Sequence, residues 1–351
     1  MSTRAPRGHV MVDPTGHLRR LLRQFGNGVA TFLPDRYTTP TSGYLFEKLL
    51  KDLSSRVFMT VDRVGIHALP KHFYTPIPDY AWLRANREYW DSSAPLTDIL
   101  WDLDAQLDWI SGLCRPYLPE VLGLESLRTL ELSGFGPGYG PIDAQILHCF
   151  MRSHRPGRVI EIGSGMSTAI MVEADVRNQD DGVAPTRFTA IDPFPRPALA
   201  LLEPVQLIRD HVQRVPLELF NSLSAGDLLF IDSSHAVKIG SDVVHLFLRV
   251  IPKLHPGVIV HVHDISLPYL YPRTALEDYF GWQETVILAA LLTGNRSLTP
   301  LASLSALHYD RADQLRLLLP DYQPQSNDAG MRAGEWVHRH LPDSFWMETS
   351  G

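Results

Sequence analysis

The sequence predicts a doubly wound α/β domain, in which helices cover both faces of a mostly parallel β-sheet. From residue 158 onward, short apolar or β-branched segments alternate with stretches of helical character. Segments such as 228–231 and 258–260 are apolar at every position, which is typical of parallel strands buried on both faces. Most of these segments end in a polar or acidic residue, at the edge where open α/β sheets place their ligands.

Seven strands are expected in this part of the chain. The five parallel strands are predicted at 158–162, 187–191, 205–209, 227–231 and 257–262. The helical stretches between them lie near 168–177, 197–203, 216–222 and 242–251. Two further strands, near 297–304 and 344–347, would close the sheet.

The residues that precede this sheet have a different character. Residues 65–79 contain three prolines and two histidines, which is typical of an extended, irregular segment. Residues 96–113 carry apolar side chains at helical spacing. The side chains of that predicted stripe are Leu100, Leu103, Leu107 and Ile110. We therefore expect residues 1–130 to form a mainly helical appendage over the site and residues 131–351 to form the binding domain.

Composition and charge exclude several classes of protein. Of 351 residues, 44% are hydrophobic and 20% charged, as in ordinary globular proteins. The net charge of −7 offers no basic surface for nucleic acid, so a small-molecule substrate is expected. The longest apolar run, 286–292, is too short to span a membrane. Cys114 and Cys149 form no paired motif, which favours a reducing cytoplasm. The sequence does not decide whether the protein forms a homo-oligomer.

The segment 158–168 contains the most informative motif of the chain. Glycines at 163 and 165 follow the first strand, and a Cβ at either position would obstruct the approach of the backbone to a ligand. Ser167 and Thr168 can cap the following helix, whose free N–H groups then face that ligand. This strand, turn and helix predict a nucleotide-type site.

The same turn discriminates between two nucleotide cofactors. A dinucleotide fingerprint would have a third glycine where this chain has Thr168. Glu161, two residues before the first glycine, suits a positively charged amino group better than a pyrophosphate. Both features favour S-adenosylmethionine (SAM) over NAD, and an NAD(P) oxidoreductase is the weaker alternative.

Acidic residues also follow three later strands. Asp192 follows the second strand, where a carboxylate can accept both hydroxyls of a ribose. Asp232 follows the fourth strand and Asp264 the fifth. Each of these residues could instead cap the next helix or turn, but four acidic strand ends are more than solubility requires. Together they indicate a binding site at one edge of the sheet.

With these motifs in place, the chain resembles the class I SAM-dependent methyltransferases. The resemblance is carried by Glu161-x-Gly-x-Gly165, Asp192, the Phe-Ile-Asp-Ser-Ser-His block at 230–235 and His263-Asp264-Ile265. More narrowly, the chain is similar to a bacterial branch related to metal-dependent O-methyltransferases of antibiotic and sugar tailoring. The resemblance covers residues 130–351 and implies a Rossmann-like, seven-stranded sheet.

The resemblance implies a SAM site and a role for each matching residue. The methionine part of SAM would lie at the glycine turn, and Asp192 would bind the ribose. The segment 210–213 would lie near the adenine. The full set of implied cofactor residues is Glu161, Gly163, Ser164, Gly165, Ser167, Thr168, Asp192, His211, Val212, Asp232 and Ser233.

The resemblance also implies a divalent metal. Its ligands would be Asp232 and Asp264, which end strands four and five, with His263 as the third ligand. Oxygen ligands suit Mg²⁺ or Mn²⁺, whereas a histidine alongside, His235 or His263, would favour Mn²⁺, Fe²⁺ or Zn²⁺. The chain has His-Asp where tailoring enzymes often have two acidic residues. In the alternative, Asp232 lies near the reactive end of the cofactor, Asp264 caps a turn, and no metal binds.

An acceptor hydroxyl or protonated amine needs a general base, and histidine can accept a proton at neutral pH. His235, His263 and Asp264 are predicted as the catalytic residues because they follow strands four and five at the carboxyl edge of the sheet. His261 is deeper in its strand and is expected to be a core histidine. The residues predicted to face the acceptor are His72, Tyr74 and Tyr139.

The predicted function is therefore SAM-dependent methyl transfer to a hydroxyl or amine of a small polar metabolite. A second hypothesis keeps the SAM site but transfers the aminocarboxypropyl arm of SAM or catalyses a cyclisation. A third is a binding module without activity, against which the four acidic strand ends argue.

Overall fold

The computed structural model describes residues 75–124, 129–136, 138–278, 281–328, 330–333, 336–338 and 340–351. The chain divides into two compact units, Met1–Ile77 and Pro78–Gly351. All helices and strands with described residues belong to the second unit. The boundary expected between residues 130 and 131 stays a prediction.

A seven-stranded sheet forms the centre of the second unit. Its strands are β1 (Arg158–Ile162), β2 (Arg187–Ile191), β3 (Val205–Ile208), β4 (Leu228–Ile231), β5 (Ile259–Val262), β6 (Leu298–Ser303) and β9 (Phe345–Thr349). The strand order is β3-β2-β1-β4-β5-β9-β6, and β9 alone runs antiparallel to its two neighbours. The doubly wound, mostly parallel, Rossmann-like sheet predicted from the sequence is confirmed.

Helices flank this sheet along the chain. The α-helices among the described residues are α1 (Tyr80–Ala85), α2 (Leu103–Tyr117), α3 (Pro141–His154), α4 (Met166–Asp180), α5 (Leu217–Phe220), α6 (Asp242–His245), α7 (Ala275–Asp278), α8 (Glu284–Leu292), α9 (Leu304–Asp310) and α10 (Ala312–Leu318). A π-helical turn, Leu246–Val250, continues α6. No helix within the described ranges is long and apolar enough to cross a bilayer.

Both faces of the sheet are buried, as the apolar strands predict. Along β4, Leu228 and Phe230 point into one hydrophobic cluster, and Leu229 and Ile231 point into the other. Side chains of α2, α3 and α4 fill the first cluster, whereas α8 and the turn after α6 fill the second. Because successive strand residues face opposite sides, an unbroken apolar segment is buried on both of them.

Two local expectations are wrong. The helix predicted at 96–113 begins only at Leu103, because Asp102 is extended and its carboxylate caps the N–H groups of residues 104 and 105. Leu100 therefore lies outside the helix and is exposed. The polar residues, Pro324 and two glycines of segment 321–334 predict a loop, but the segment contains β7 (Met331–Ala333), which pairs antiparallel with β8 (Trp336–His338).

Candidate active site at the carboxyl edge of the sheet

The glycine turn after β1 lies against the end of β4. Gly163 has a φ of +83°, and a Cβ on it would collide with the carbonyl oxygen of Asp232. The N–H of Gly165 donates to Oγ1 of Thr168 at 3.0 Å, which fixes the start of α4. The turn is thus held close to the neighbouring strand, and that strand requires the glycine at 163. The approach of a ligand to this backbone stays a prediction.

Glu161 lies at the end of β1 and is only 2% exposed. Its two carboxyl oxygens accept hydrogen bonds from the hydroxyls of Ser167 and Thr168, each at 2.6 Å. Burial raises the pKa of Glu161 to about 8, although these two hydroxyls act in the opposite direction. A large part of this carboxyl is therefore neutral at neutral pH, and a cationic ligand group nearby would favour its charged form.

We expect Glu161 to make the stability of the ligand-free protein depend on pH. Because burial raises the folded pKa from 4.5 to about 8, the contribution of the neutral carboxyl is fully present below about pH 4.5. It is lost as the pH rises towards about 8. The substitution Glu161→Gln should remove this decrease, which amounts to about 2–4 kcal/mol in the free energy of unfolding. Urea denaturation at a series of pH values between about 4.5 and 8 measures it.

The matched control for this experiment is Glu203→Gln, at an exposed position. It should keep the pH slope of the wild-type protein. If Glu161→Gln also kept that slope, the buried carboxyl would not be its source.

A cavity of about 450 Å³ opens beside the glycine turn, at the ends of β1, β2 and β4. Predicted cofactor residues that line it are Gly163, Asp192, His211, Val212, Asp232 and Ser233. Phe194, which was not among the predicted cofactor residues, lines it too and is 82% exposed. Its ring meets that of His211 edge to face at 6.1 Å. The volume is in the range of small-molecule sites, and the aromatic wall is suited to a planar base.

Asp192 follows β2 and lies one strand away from Glu161, on the same edge of the sheet. One of its oxygens accepts a hydrogen bond from the N–H of Phe194 at 2.7 Å, and the other accepts from the hydroxyl of Ser164. These contacts fix the carboxylate at the cavity wall. Its remaining lone pairs can accept hydrogen bonds from vicinal hydroxyls of a ligand.

A second group of side chains joins the ends of β4 and β5, and we call it the outer cluster: Asp232, His235 and Asp264. Nε2 of His235 lies 3.1 Å from a carboxylate oxygen of Asp264 and 3.4 Å from one of Asp232. His235 and Asp264 have φ values of +56° and +58°, in the left-handed region. Such backbone costs about 1–3 kcal/mol per residue and occurs preferentially at functional sites.

Glu284, the first residue of α8, holds the other nitrogen of His235. Its carboxylate accepts from Nδ1 at 2.8 Å, and the residue is 1% exposed. Burial lowers the pKa of His235, but hydrogen bonds to Asp232 and Glu284 outweigh burial and raise that pKa well above its usual value. When the ring is neutral, the bond to Glu284 keeps the proton on Nδ1 and leaves the lone pair of Nε2 facing the two aspartates.

The outer cluster fits a divalent cation. Asp232, His235 and Asp264 each offer one ligand atom, and these atoms lie within 4.8 Å of one another. A carboxylate behind a histidine ligand, as Glu284 stands behind His235, is a recurrent feature of metal sites. The geometry brings together two of the three predicted ligands, Asp232 and Asp264. His235 is the third donor of this cluster, whereas His263 lies with Asp143 and Asp343.

Glu284 provides a test of this arrangement. We expect Glu284→Gln to weaken Mn²⁺ binding about tenfold or more, because an uncharged amide makes the ring of His235 a poorer donor without changing its position. Titration of the protein with Mn²⁺, followed by electron paramagnetic resonance, measures the affinity. The exposed Glu277→Gln is the control, and equal affinities for the two variants would contradict the role of Glu284.

His263, His261 and Tyr139 are buried behind this edge of the sheet. The hydroxyl of Tyr139 lies 3.2 Å from Nε2 of His261, and its ring centroid lies 4.6 Å from that of His263. His261 stacks on Trp346 at 4.5 Å, and burial lowers its pKa well below the usual value. This is the core histidine expected from the sequence. Substrate contact by Tyr139 stays a prediction.

The other two predicted substrate residues, His72 and Tyr74, lie outside the described residues. Asp143, Asp343 and Glu284 are described residues that no sequence motif marks as site residues. All three come close to predicted site residues in space but follow no strand end that a sequence pattern would mark. Only the three-dimensional structure shows that these residues lie beside the predicted site residues.

Comparison with known proteins adds to this geometry. A family model described as a methyltransferase domain matches residues 160–265, which contain the glycine turn, Asp192 and the outer cluster. An uncharacterized protein of Archaeoglobus fulgidus is 26% identical over 197 residues, which cover 51% of this chain and 86% of that protein. Residues 160–265 are thus similar in sequence to a methyltransferase domain.

The solved structures that the chain resembles include several methyltransferases, among them the following two. The O-methyltransferase TomG from Streptomyces achromogenes, involved in tomaymycin synthesis and solved with SAM, is 15% identical with a TM-score of 0.38, over 77% of this chain and 98% of that chain. The Podospora anserina methyltransferase PaMTH1, solved with S-adenosylhomocysteine (SAH), is 14% identical with a TM-score of 0.34, over 67% of this chain and 94% of that chain.

Proposed function

We propose that the protein is a SAM-dependent methyltransferase that acts on a hydroxyl or amine of a small polar metabolite. The observation that carries the proposal is the convergence of the Gly163 turn, Asp192 and Asp232 on one cavity, inside the segment that matches a methyltransferase domain. The acceptor class, a metabolite of natural-product or glycan tailoring, rests on the motif resemblance. The two buried free cysteines fit the bacterial cytoplasm expected from the sequence.

Different residues of the cavity would bind different parts of the cofactor. Asp192 would accept the ribose hydroxyls, and Phe194 with His211 would flank the adenine. The first turn of α4, with Glu161 beneath it, would receive the charged methionine end. SAM itself supplies a methyl group that is activated by the sulfonium.

Methyl transfer is a displacement in which the acceptor forms a bond to the methyl carbon while the carbon–sulfur bond breaks. The main tasks of the protein are to align the acceptor with that bond and to exclude water. The acceptor also loses a proton. The outer cluster lies at the edge of the cavity, because Asp232 belongs to both.

Two ways of removing the proton from the acceptor are compatible with the outer cluster. A divalent cation held by Asp232, His235 and Asp264 would lower the pKa of an acceptor hydroxyl. Without a cation, Nε2 of His235 would take the proton, with Glu284 stabilising the imidazolium. We propose the first, with Mg²⁺, Mn²⁺ or Fe²⁺ as the metal, because the three donor atoms lie within 4.8 Å of one another.

Mass spectrometry of the SAM-derived product tests the proposed reaction. The purified protein is incubated with SAM and a panel of polar metabolites that carry hydroxyl or amino groups. A methyltransferase forms SAH together with an acceptor whose mass increases by one methylene unit. Methylthioadenosine in place of SAH would instead identify transfer of the aminocarboxypropyl arm.

A further inference from the structure

Next to the outer cluster lies a second group of convergent donors, Asp143, His263 and Asp343, which we call the inner cluster. One ligand atom of each residue lies within 4.8 Å of the other two. The three residues come from different elements: the first turn of α3, the residue after β5, and the segment before β9. We propose that the inner cluster binds a second divalent cation of the Mn²⁺, Fe²⁺ or Zn²⁺ type.

The inner cluster contains buried polar atoms that lack a hydrogen-bond partner in the part of the chain that the structure describes. Oδ2 of Asp143, both ring nitrogens of His263 and one oxygen of Asp343 are buried and have no hydrogen-bond partner among the described residues. Asp143 and His263 are each 1% exposed. A buried polar group left unpaired costs about 1–3 kcal/mol, so several of them together indicate a site that binds a polar or charged ligand.

Asp143 is fixed in an orientation suited to binding a cation. Its Oδ1 accepts hydrogen bonds from the N–H groups of Asp343 and Ser344, at 3.2 and 2.9 Å, and from the hydroxyl of Ser344. These contacts leave Oδ2 free. A Cβ at Gly140 would lie only 2.7 Å from this free oxygen, so the glycine keeps space beside it.

The contact between His263 and Asp343 is longer than that of a hydrogen-bonded ion pair. A protonated His263 between two carboxylates would donate hydrogen bonds at about 2.7–2.9 Å. Instead, Nδ1 of His263 lies 3.4 Å from the oxygen of Asp343, and neither ring nitrogen has hydrogen-bond geometry. Donor atoms held at such separations without hydrogen bonds are typical of ligands around an ion.

The charge of the two clusters together favours a second cation. Asp264 of the outer cluster interacts electrostatically with Asp343 of the inner cluster, so the clusters are neighbours. With all four aspartates ionised, one divalent cation in the outer cluster would balance two of them. The other two, the buried Asp143 and the half-buried Asp343, would lack a counter-charge. An imidazole beside carboxylates selects a transition metal over Ca²⁺. The inference concerns metal content and does not depend on methyl transfer.

Counting Mn²⁺ per chain tests the inner cluster. The full chain is freed of metal with a chelator and titrated with Mn²⁺, and electron paramagnetic resonance measures the free ion. We expect about two Mn²⁺ per wild-type chain and about one for Asp143→Asn, which keeps the side-chain shape but replaces the free oxygen with a donor. The exposed Asp180→Asn should bind as the wild type does.

Two variants keep the result decisive. If Asp143→Asn does not fold, as judged by circular dichroism, Asp343→Asn is measured in its place and should also bind one ion fewer. Asp232→Asn, in the outer cluster, should lose one ion and retain the other. One Mn²⁺ or none in the wild type, or two in both inner-cluster variants, would overturn the proposal. SAH binding by Asp143→Asn, measured by calorimetry, distinguishes the loss of the inner-cluster ion from damage to the cofactor site.

Discussion

Replacement of Asp192 with alanine should weaken SAH binding by about 100-fold or more. A carboxylate that accepts two hydroxyl hydrogen bonds contributes about 1.5–3 kcal/mol for each of them, and the alanine variant loses both. Titration calorimetry with SAH measures the change, because SAH is stable and lacks the transferable methyl group. No other single substitution on the cavity wall is expected to reduce cofactor affinity as much.

Asp192 also receives hydrogen bonds from Ser164 and from the N–H of Phe194, so a rearranged turn must be distinguished from a lost contact. Ser164→Ala removes only the first of these bonds and should weaken SAH binding by less than about tenfold. Asp192→Asn keeps one acceptor oxygen and should give an intermediate affinity. Unchanged SAH affinity in Asp192→Ala would refute its assignment to the ribose.

The sheet could be predicted from the sequence because its signal is local. Five apolar strands that alternate with helical segments leave little choice of fold class, and each observed parallel strand lies within the predicted segment. The residue after a strand is equally easy to place, since parallel strands all end on one edge. This is why the sequence alone predicts that Glu161, Asp192, Asp232 and Asp264 are neighbours.

The remaining site residues have no such signal. Glu284 lies 49 residues after His235, at the start of a helix, where an acidic residue is ordinary. Asp143 contacts the segment before β9 across 200 residues of sequence. The sequence shows that acidic residues exist at these positions, but only tertiary packing decides that they meet the histidines of the strand ends. Burial then changes their chemistry, as the raised pKa of Glu284 illustrates.

Removal of divalent metal should stop turnover, and added Mn²⁺ or Mg²⁺ should restore it. The reason is that the outer cluster would position the acceptor and lower the pKa of its hydroxyl only with a cation bound. The variant that tests the same step is Asp264→Asn, which replaces one of the proposed metal ligands. Asparagine tolerates the left-handed backbone at this position, where φ is +58°, so the fold should be retained. We expect kcat to fall by about 100-fold or more, with SAH affinity within about threefold of the wild type.

The combination of these measurements separates the two ways of removing the proton. If the cation performs this step, EDTA and Asp264→Asn both abolish turnover, and neither prevents SAH binding, since Asp264 is not part of the cavity lining. If His235 acts alone as the base, activity survives EDTA. The rate would then follow the titration of His235, and Glu284→Gln would shift the pH profile to lower pH because it removes a carboxylate that raises the pKa of the ring. Activity that resists EDTA would therefore reject the cation and retain the histidine.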